Sequence, residues 1–319
     1  MFADALAAAD VIVMELKNSF RKLPKERGIL LLHWPNRLFF VYGFKQTIRA
    51  LLFLAGLWYG KLFRGQKVVW VAHNLLPHER GERPFAIGRV LFFAALDGII
   101  FLSRTSRDIF TKTYPRLANS PFTVIAHGDY HARETLPSKL PERVAGRPVR
   151  LAFVGRVERY KAPELLAKLV GTLPQDQVEL VIAGKCAESA LQEELVQVAR
   201  TAPNLQLRLA YLSDRELEQI VDGADAIALP YRDIMNSGST LLALSRNRPV
   251  IAPRLGSLVD LLEEVGSDWL WLYDGSLTRE SLADALTWVA TRNRSTSPDL
   301  SRHDWHRIGV QTADFLRIL

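Results

Sequence analysis

Short apolar runs alternate along the chain with stretches whose apolar residues recur at helical spacing. This is the pattern of strand–helix–strand units wound around a parallel sheet. In the first half, Val11–Glu15, Gly28–His33, Val68–His73, Gly98–Ser103 and Phe122–Ala126 predict strands. In the second half, Arg150–Val154, Glu179–Ala183, Gln206–Ala210, Ala226–Leu229, Val250–Ala252 and Trp269–Leu272 do so. Pro163–Gly171, Glu188–Thr201, Ser213–Val221 and Ser237–Ser245 predict amphipathic helices between them. Met1–Ala9 reads as a helix and Val11–Glu15 as a second strand, so the strand that opens a doubly wound domain is expected to be missing.

The rhythm breaks at His131–Arg147, where Pro137, Pro141 and Gly146 sit among charged residues, with Pro148 just beyond. That composition marks an interdomain linker. The 319 residues are therefore expected to form an N-terminal Rossmann-like domain over 1–146 and a second over 147–300. A C-terminal helix over 301–319 completes the chain.

Composition agrees with two folded α/β domains: 48% of residues are hydrophobic and 24% charged. One cysteine, Cys186, excludes an internal disulfide, and the first ten residues lack the basic region of a secretory signal, so a cytoplasmic place is expected. The apolar stretches Ala50–Gly60 and Val90–Leu102 fall short of the roughly twenty residues that a helical span takes. The net charge of +7 is scattered through every segment, with no recognised nucleic-acid module. An anionic membrane surface, a diphosphate ligand or solubility accounts for it better. Phe39–Val69 interleaves aromatics and leucines with Lys45, Arg49, Lys61, Arg64 and Lys67. It reads either as an amphipathic helix in an anionic headgroup region or as a helix packed on the first sheet.

Two segments carry candidate chemistry. Phe153-Val154-Gly155-Arg156 ends a strand and Lys161 follows just before a helix. Ligands bind at the carboxyl edge of parallel strands, Gly155 permits close backbone approach, and Arg156 with Lys161 suits a diphosphate. Farther on, Leu229-Pro230-Tyr231 precedes Asn236-Ser237-Gly238-Ser239 at the start of a helix. A helix N-terminus offers unpaired N–H groups and a positive dipole end to an anion, although Asn236 or Ser237 also serves simply as a cap.

The succession of Phe153-Val154-Gly155-Arg156 with Lys161, then Ala183-Gly184, then Leu229-Pro230-Tyr231 with Ser237-Gly238-Ser239, then Arg248-Pro249-Val250-Ile251-Ala252-Pro253 resembles the donor-binding domain of GT-B glycosyltransferases. The resemblance extends over about residues 68–319 and implies two Rossmann-like domains, the second holding a nucleotide sugar. It implies donor contacts from Gly155, Arg156, Lys161, Gly184, Tyr231, Asp233, Asn236, Ser237, Gly238 and Ser239. His33-Trp34-Pro35 and Ala72-His73-Asn74-Leu75-Leu76-Pro77-His78-Glu79 are further similar to bacterial exopolysaccharide glycosyltransferases. The nearest type is the mannosyltransferase that extends a lipid-linked oligosaccharide. The partners implied are a GDP- or UDP-linked sugar as substrate, a lipid-linked or polysaccharide acceptor, and peripheral membrane association. No cofactor and no nucleic acid are expected.

The sequence departs from that family in one place. Retaining members commonly carry a pair of glutamates across the phosphate-binding turn, where this chain has Ile234 and Leu242, with Asp233 out of register. Inversion is therefore expected, and it needs a general base on the acceptor hydroxyl. Glu79, His73 and His78 follow a strand of the first domain and are the catalytic candidates, while His127-Gly128 at another strand end is placed on the acceptor side. No Asp-x-Asp pair is present, so a metal-independent enzyme is expected, with Arg156, Lys161 and the helix N-terminus neutralising the leaving diphosphate. A non-catalytic sugar-nucleotide or glycan-binding protein and a nucleotide-sugar epimerase remain the alternatives on this fold.

Overall fold

A computed structural model of the chain describes residues 1–14, 26–35, 40–41, 43–73, 83–130, 146–292 and 294–319. It divides into two compact units, Met1–Gly128 with Arg302–Leu319, and Asp129–Ser301. The division falls after Gly128 and not at 147, because Tyr130 already donates its N–H to Ser245 Oγ of the second unit at 3.1 Å.

The first unit opens with helix α1 (Phe2–Ala7). Four parallel strands follow in spatial order β1 (Ile29–Leu32), β2 (Lys67–Ala72), β3 (Gly98–Phe101) and β4 (Phe122–Val124). Helices α2 (Phe44–Arg64) and α3 (Ala86–Ala95) lie between β1 and β3 in sequence, and α4 (Arg104–Thr113) follows β3. The expected strand at Val11–Glu15 is not formed: Val11–Met14 lie outside any strand, Ile12 is 94% exposed, and Glu15 lies outside the described residues. A run of β-branched residues does not pair without a neighbour to pack on. Val68–Ala72, by contrast, is buried throughout, as a strand flanked by β1 and β3 requires.

The second unit is a six-stranded parallel sheet. Its strands are β5 (Val149–Val154), β6 (Val178–Ala183), β7 (Leu205–Arg208), β8 (Ala226–Ala228), β9 (Val250–Pro253) and β10 (Leu270–Tyr273). The spatial order is β10-β9-β8-β5-β6-β7, so the winding reverses between β5 and β8. Such a reversal opens a crevice at the carboxyl edge of the sheet. The connecting helices are α5 (Pro163–Gly171), α6 (Ser189–Thr201), α7 (Asp214–Gly223), α8 (Gly238–Ser245), α9 (Ser257–Val265) and α10 (Arg279–Thr291). Pro163 starts α5 where its missing N–H costs nothing, and Ser213 with Glu216 forms a reciprocal capping box on α7.

Leu151, Phe153, Leu166, Leu180 and Ile182 are almost wholly excluded from solvent at the centre of this unit, each contributing about 1.5–3 kcal/mol by burial. Asp225 ties β5 to β8, accepting both Arg147 guanidinium bonds (2.8 and 2.6 Å) and the Arg150 N–H. Helix α11 (Trp305–Arg317), capped by Asp304, packs on α1 in the first unit.

Candidate functional site

The reversal between β5 and β8 positions a cavity of about 440 Å³ within the second unit. Gly155, Arg156 and Lys161 line it from the loop after β5, Gly238 and Ser239 from the first turn of α8, and Asp214, Leu217 and Glu218 from α7. Tyr130 and Leu242 complete the lining.

Close approach of backbone shapes its floor. Gly155 has φ +112°, and a Cβ there would lie 2.8 Å from Ser239 Oγ and 3.6 Å from Lys161 Nζ. A Cβ on Gly184, at the end of β6, would overlap the Gly155 carbonyl. Ser239 Oγ donates to the Val154 carbonyl at 3.0 Å, which ties the start of α8 to the end of β5. These glycines let Lys161, Ser239 and the strand end converge on one space.

Lys161 is buried at 8% exposure, and no described residue forms an ion pair or hydrogen bond with its ammonium. Its neighbours are the Tyr160 ring, 5.7 Å from Nζ, and the charges of Glu158 and Arg156. Burial pushes its pKa down to about 8; Glu158 opposes that shift and Arg156 adds to it. Arg156 reaches into solvent and pairs with Glu158 at 3.1 Å. A sequestered cation beside a helix N-terminus is a site for an anion.

The segment after β8 is held rigidly. Arg232 pairs with buried Glu164 at 2.7 Å and donates its N–H to the Tyr160 carbonyl at 2.7 Å. Tyr231 is buried, its hydroxyl 2.9 Å from Ser237 Oγ, and burial raises its pKa so that it stays a hydroxyl. Ser237 caps α8, accepting from the Thr240 N–H at 3.2 Å and Thr240 Oγ1 at 2.9 Å. The Gly238 and Ser239 N–H groups, at the first two helical positions, have no partner within the helix. Tyr231 and Ser237 thus shape the site from behind. Asn236 is half-buried and Asp233 exposed, and neither lines the cavity.

In the first unit, histidines gather at the carboxyl ends of the parallel strands. His33 directly follows β1 and His73 directly follows β2, and their Nδ1 and Nε2 atoms lie 2.9 Å apart. Trp34 stacks on the His73 ring at 4.4 Å and 16°. His127, beyond β4, donates from Nδ1 to the Gly128 carbonyl at 2.8 Å, and its own carbonyl accepts from His303 Nδ1 at 2.7 Å. Burial lowers the pKa of all three rings and takes His73 to about 3, with His33 and His127 adding to the effect. They are neutral imidazoles near pH 7. A Cβ on Gly128 would overlap the Trp305 ring, so this glycine admits α11. His78 and Glu79 lie outside the described residues.

Sequence reasoning did not assign roles to His33, Trp34, Asp214 or Glu218. The capping box at Ser213–Glu216 was the available signal for α7, since it fixes where that helix begins and so which residues reach the cavity. Nothing local signals the His33–His73 pair, whose members are forty residues apart.

Comparison with known proteins bears on both units. The family model for glycosyl transferases group 1 matches residues 148–292. GDP-mannose:glycolipid 4-beta-D-mannosyltransferase from Xanthomonas campestris pv. campestris is 32% identical over 289 residues, covering 88% of this chain and 77% of that protein. D-inositol 3-phosphate glycosyltransferase from Corynebacterium urealyticum is 31% identical over 59% of this chain and 46% of its own length. Among solved structures, HepE from Anabaena in complex with UDP superposes with a TM-score of 0.62 at 18% identity, over 85% of this chain and 77% of that one. WaaG, a glycosyltransferase involved in lipopolysaccharide biosynthesis, gives 0.55 at 15% identity, over 83% and 78%. The two parallel sheets give the chain the GT-B fold of these solved glycosyltransferase structures. The chain belongs to the group 1 glycosyl transferases, and it is a hexosyltransferase.

Proposed function

We propose that the protein transfers a mannosyl residue from a GDP-linked donor to a lipid-linked glycan during exopolysaccharide assembly, by inversion and without a metal ion. The observation that carries the donor side is Lys161, a buried ammonium with no described partner, beside the open N-terminus of α8. A diphosphate supplies the missing negative charge. As the glycosidic bond to the β-phosphate breaks, charge grows on the departing diphosphate, and Lys161, Arg156 and the α8 N–H groups stabilise it there.

The choice of mannose and of a glycolipid acceptor is supported by the Xanthomonas relative, whose name gives both. Its 4-beta linkage also favours inversion, because a β-product formed from an α-linked sugar nucleotide requires one displacement at the anomeric carbon. Ile234 and Leu242, standing where retaining members carry glutamates, support the same reading. The base comes from the His73–Glu79 segment. His73, held neutral by burial, suits a hydrogen bond to acceptor oxygens, which leaves Glu79 as the group that takes the acceptor proton. A peripheral place at the inner face of the cell membrane belongs to this reading, since a lipid-linked acceptor is fixed in a bilayer.

The test is a transfer assay with a panel of GDP- and UDP-sugars and a membrane lipid extract as acceptor, run with and without EDTA. Acceptor-dependent release of GDP from GDP-mannose, unchanged by EDTA, is expected. Strict dependence on magnesium or manganese, or release only from UDP-sugars, contradicts the proposal.

A further inference from the structure

Trp34 stands at the carboxyl edge of the first unit's sheet, two residues beyond β1, with 57% of its surface exposed. Its indole lies nearly parallel to the His73 imidazole, 4.4 Å between centroids and 16° between planes, so one of its faces is covered and held. Pro35, which is buried, confines the residue before it to extended backbone. Further rings brace the pair. His33 is bonded to His73 at 2.9 Å and meets Phe2 edge-on at 5.2 Å, and Phe2 meets Trp305 of α11 edge-on at 6.2 Å. Trp34 Nε1–H forms no hydrogen bond with a described residue. Packing on the core does not account for an indole that is more than half outside it.

The surroundings select the kind of group that covers the open indole face. Ligands bind beyond the carboxyl ends of parallel strands. Burial keeps His33, His73 and His127 neutral near pH 7, so this edge offers hydrogen-bond donors and acceptors without charge. A phosphate would call for a cation, and an acyl chain would call for no imidazole. A pyranose ring with equatorial hydroxyls matches both parts of the site. Its axial C–H bonds form an apolar face that covers an indole, and its rim of hydroxyls meets neutral imidazoles and the indole N–H. Because Trp34 is already held against His73, little side-chain entropy is lost when a ring settles on it.

We propose that Trp34, stacked on His73, is the platform on which a pyranose ring of the acceptor glycan lies. The inference rests on the glycosyltransferase reading for calling that ring the acceptor's. It makes Trp34 a determinant of acceptor affinity and leaves donor binding to the second unit.

Saturation-transfer NMR of the full-length protein with cellobiose, whose two glucosyl rings carry equatorial ring hydroxyls, reads the platform directly. Wild type is expected to transfer magnetisation to the axial C–H protons of cellobiose and none to sorbitol, an acyclic polyol without a ring face. Trp34→Ala and Trp34→Leu should lose the cellobiose signal. With a membrane lipid extract as acceptor, both should raise the acceptor KM about tenfold or more, whereas Trp34→Phe keeps most of the wild-type behaviour. Circular dichroism and calorimetric GDP affinity should be the same in all four proteins. Absence of transfer to cellobiose in wild type, or an unchanged signal or acceptor KM in Trp34→Ala, overturns the proposal. Trp34→Leu performing as well as Trp34→Phe overturns it in favour of an alkyl chain on the indole, and this comparison decides even where Trp34→Ala is poorly folded. In each case GDP binding and acceptor-dependent transfer by wild type would stand, which separates failure of the platform from failure of the glycosyltransferase reading.

Discussion

His33 and His73 lie at the ends of neighbouring parallel strands with Nδ1 and Nε2 2.9 Å apart, so one neutral ring donates and the other accepts. Protonating both would place two cations in contact in a buried setting. Burial is the main cause of the lowered pKa values, with neighbouring rings adding to it: the unfolded chain binds protons near 6.5, while His73 resists down to about 3 and His33 and His127 shift in the same direction. The unfolded state therefore binds more protons below pH 6.5, and stability falls as pH drops through that window. Thermal unfolding followed from pH 7.5 to 4 should show this decline. His73→Gln, which keeps a hydrogen-bonding nitrogen without titrating, should make the decline shallower. An unchanged slope would detach these histidines from acid stability.

Lys161 has the same sign at the other end of the pH scale. Its pKa falls from 10.5 to about 8 on folding, so its charge costs stability in full below pH 8, and that cost is relieved as pH rises toward 10.5. Lys161→Met should stabilise the ligand-free protein at neutral pH by about 1–3 kcal/mol, a gain of a few degrees in Tm. A loss of Tm in this variant would mean that the ammonium has a stabilising partner.

Gly128 is set by the tail of the chain. Because any Cβ would overlap Trp305, Gly128→Ala should displace α11 and cost about 1–3 kcal/mol in urea unfolding. Wild-type stability in this variant would show that Trp305 moves aside freely.

The reaction's stereochemistry is open to direct test. NMR of the product formed from GDP-mannose should show a β-linkage, and Glu79→Gln should lower kcat by about 10²–10⁴ with little change in donor KM. An α-linkage would contradict inversion, and undiminished turnover would remove Glu79 as base.

What was legible in the sequence follows from how local each signal is. Helix α5 runs over Pro163–Gly171 as its pattern predicts, because proline punctuation and apolar spacing are both local. That Gly155, Lys161, Gly238 and Ser239 line one cavity was foreshadowed by residue type, because close backbone approach and helix N-termini leave marks in the sequence. Val11–Glu15 misled because strand propensity does not provide a neighbouring strand. The boundary after Gly128 was hidden for a similar reason: it depends on Tyr130 bonding to Ser245, 115 residues away. For α2 the sequence offered a helix in an anionic headgroup region or one packed on the first sheet; the helix buries Phe53, Leu54 and Leu57 and exposes Phe44, Leu62 and Phe63, a two-sided pattern that spacing alone does not divide between these readings.

The central claim is that Lys161 and the N-terminus of α8 hold the donor's diphosphate. The most direct measurement is calorimetric titration of GDP into wild type, Lys161→Met and Lys161→Arg across pH 7 to 9.5. Wild-type affinity should weaken above pH 8 as the amine loses its proton, Lys161→Arg should bind without that decline, and Lys161→Met should lose about 10²-fold or more at pH 7. Equal GDP affinity in wild type and Lys161→Met, with no pH dependence, would contradict the assignment.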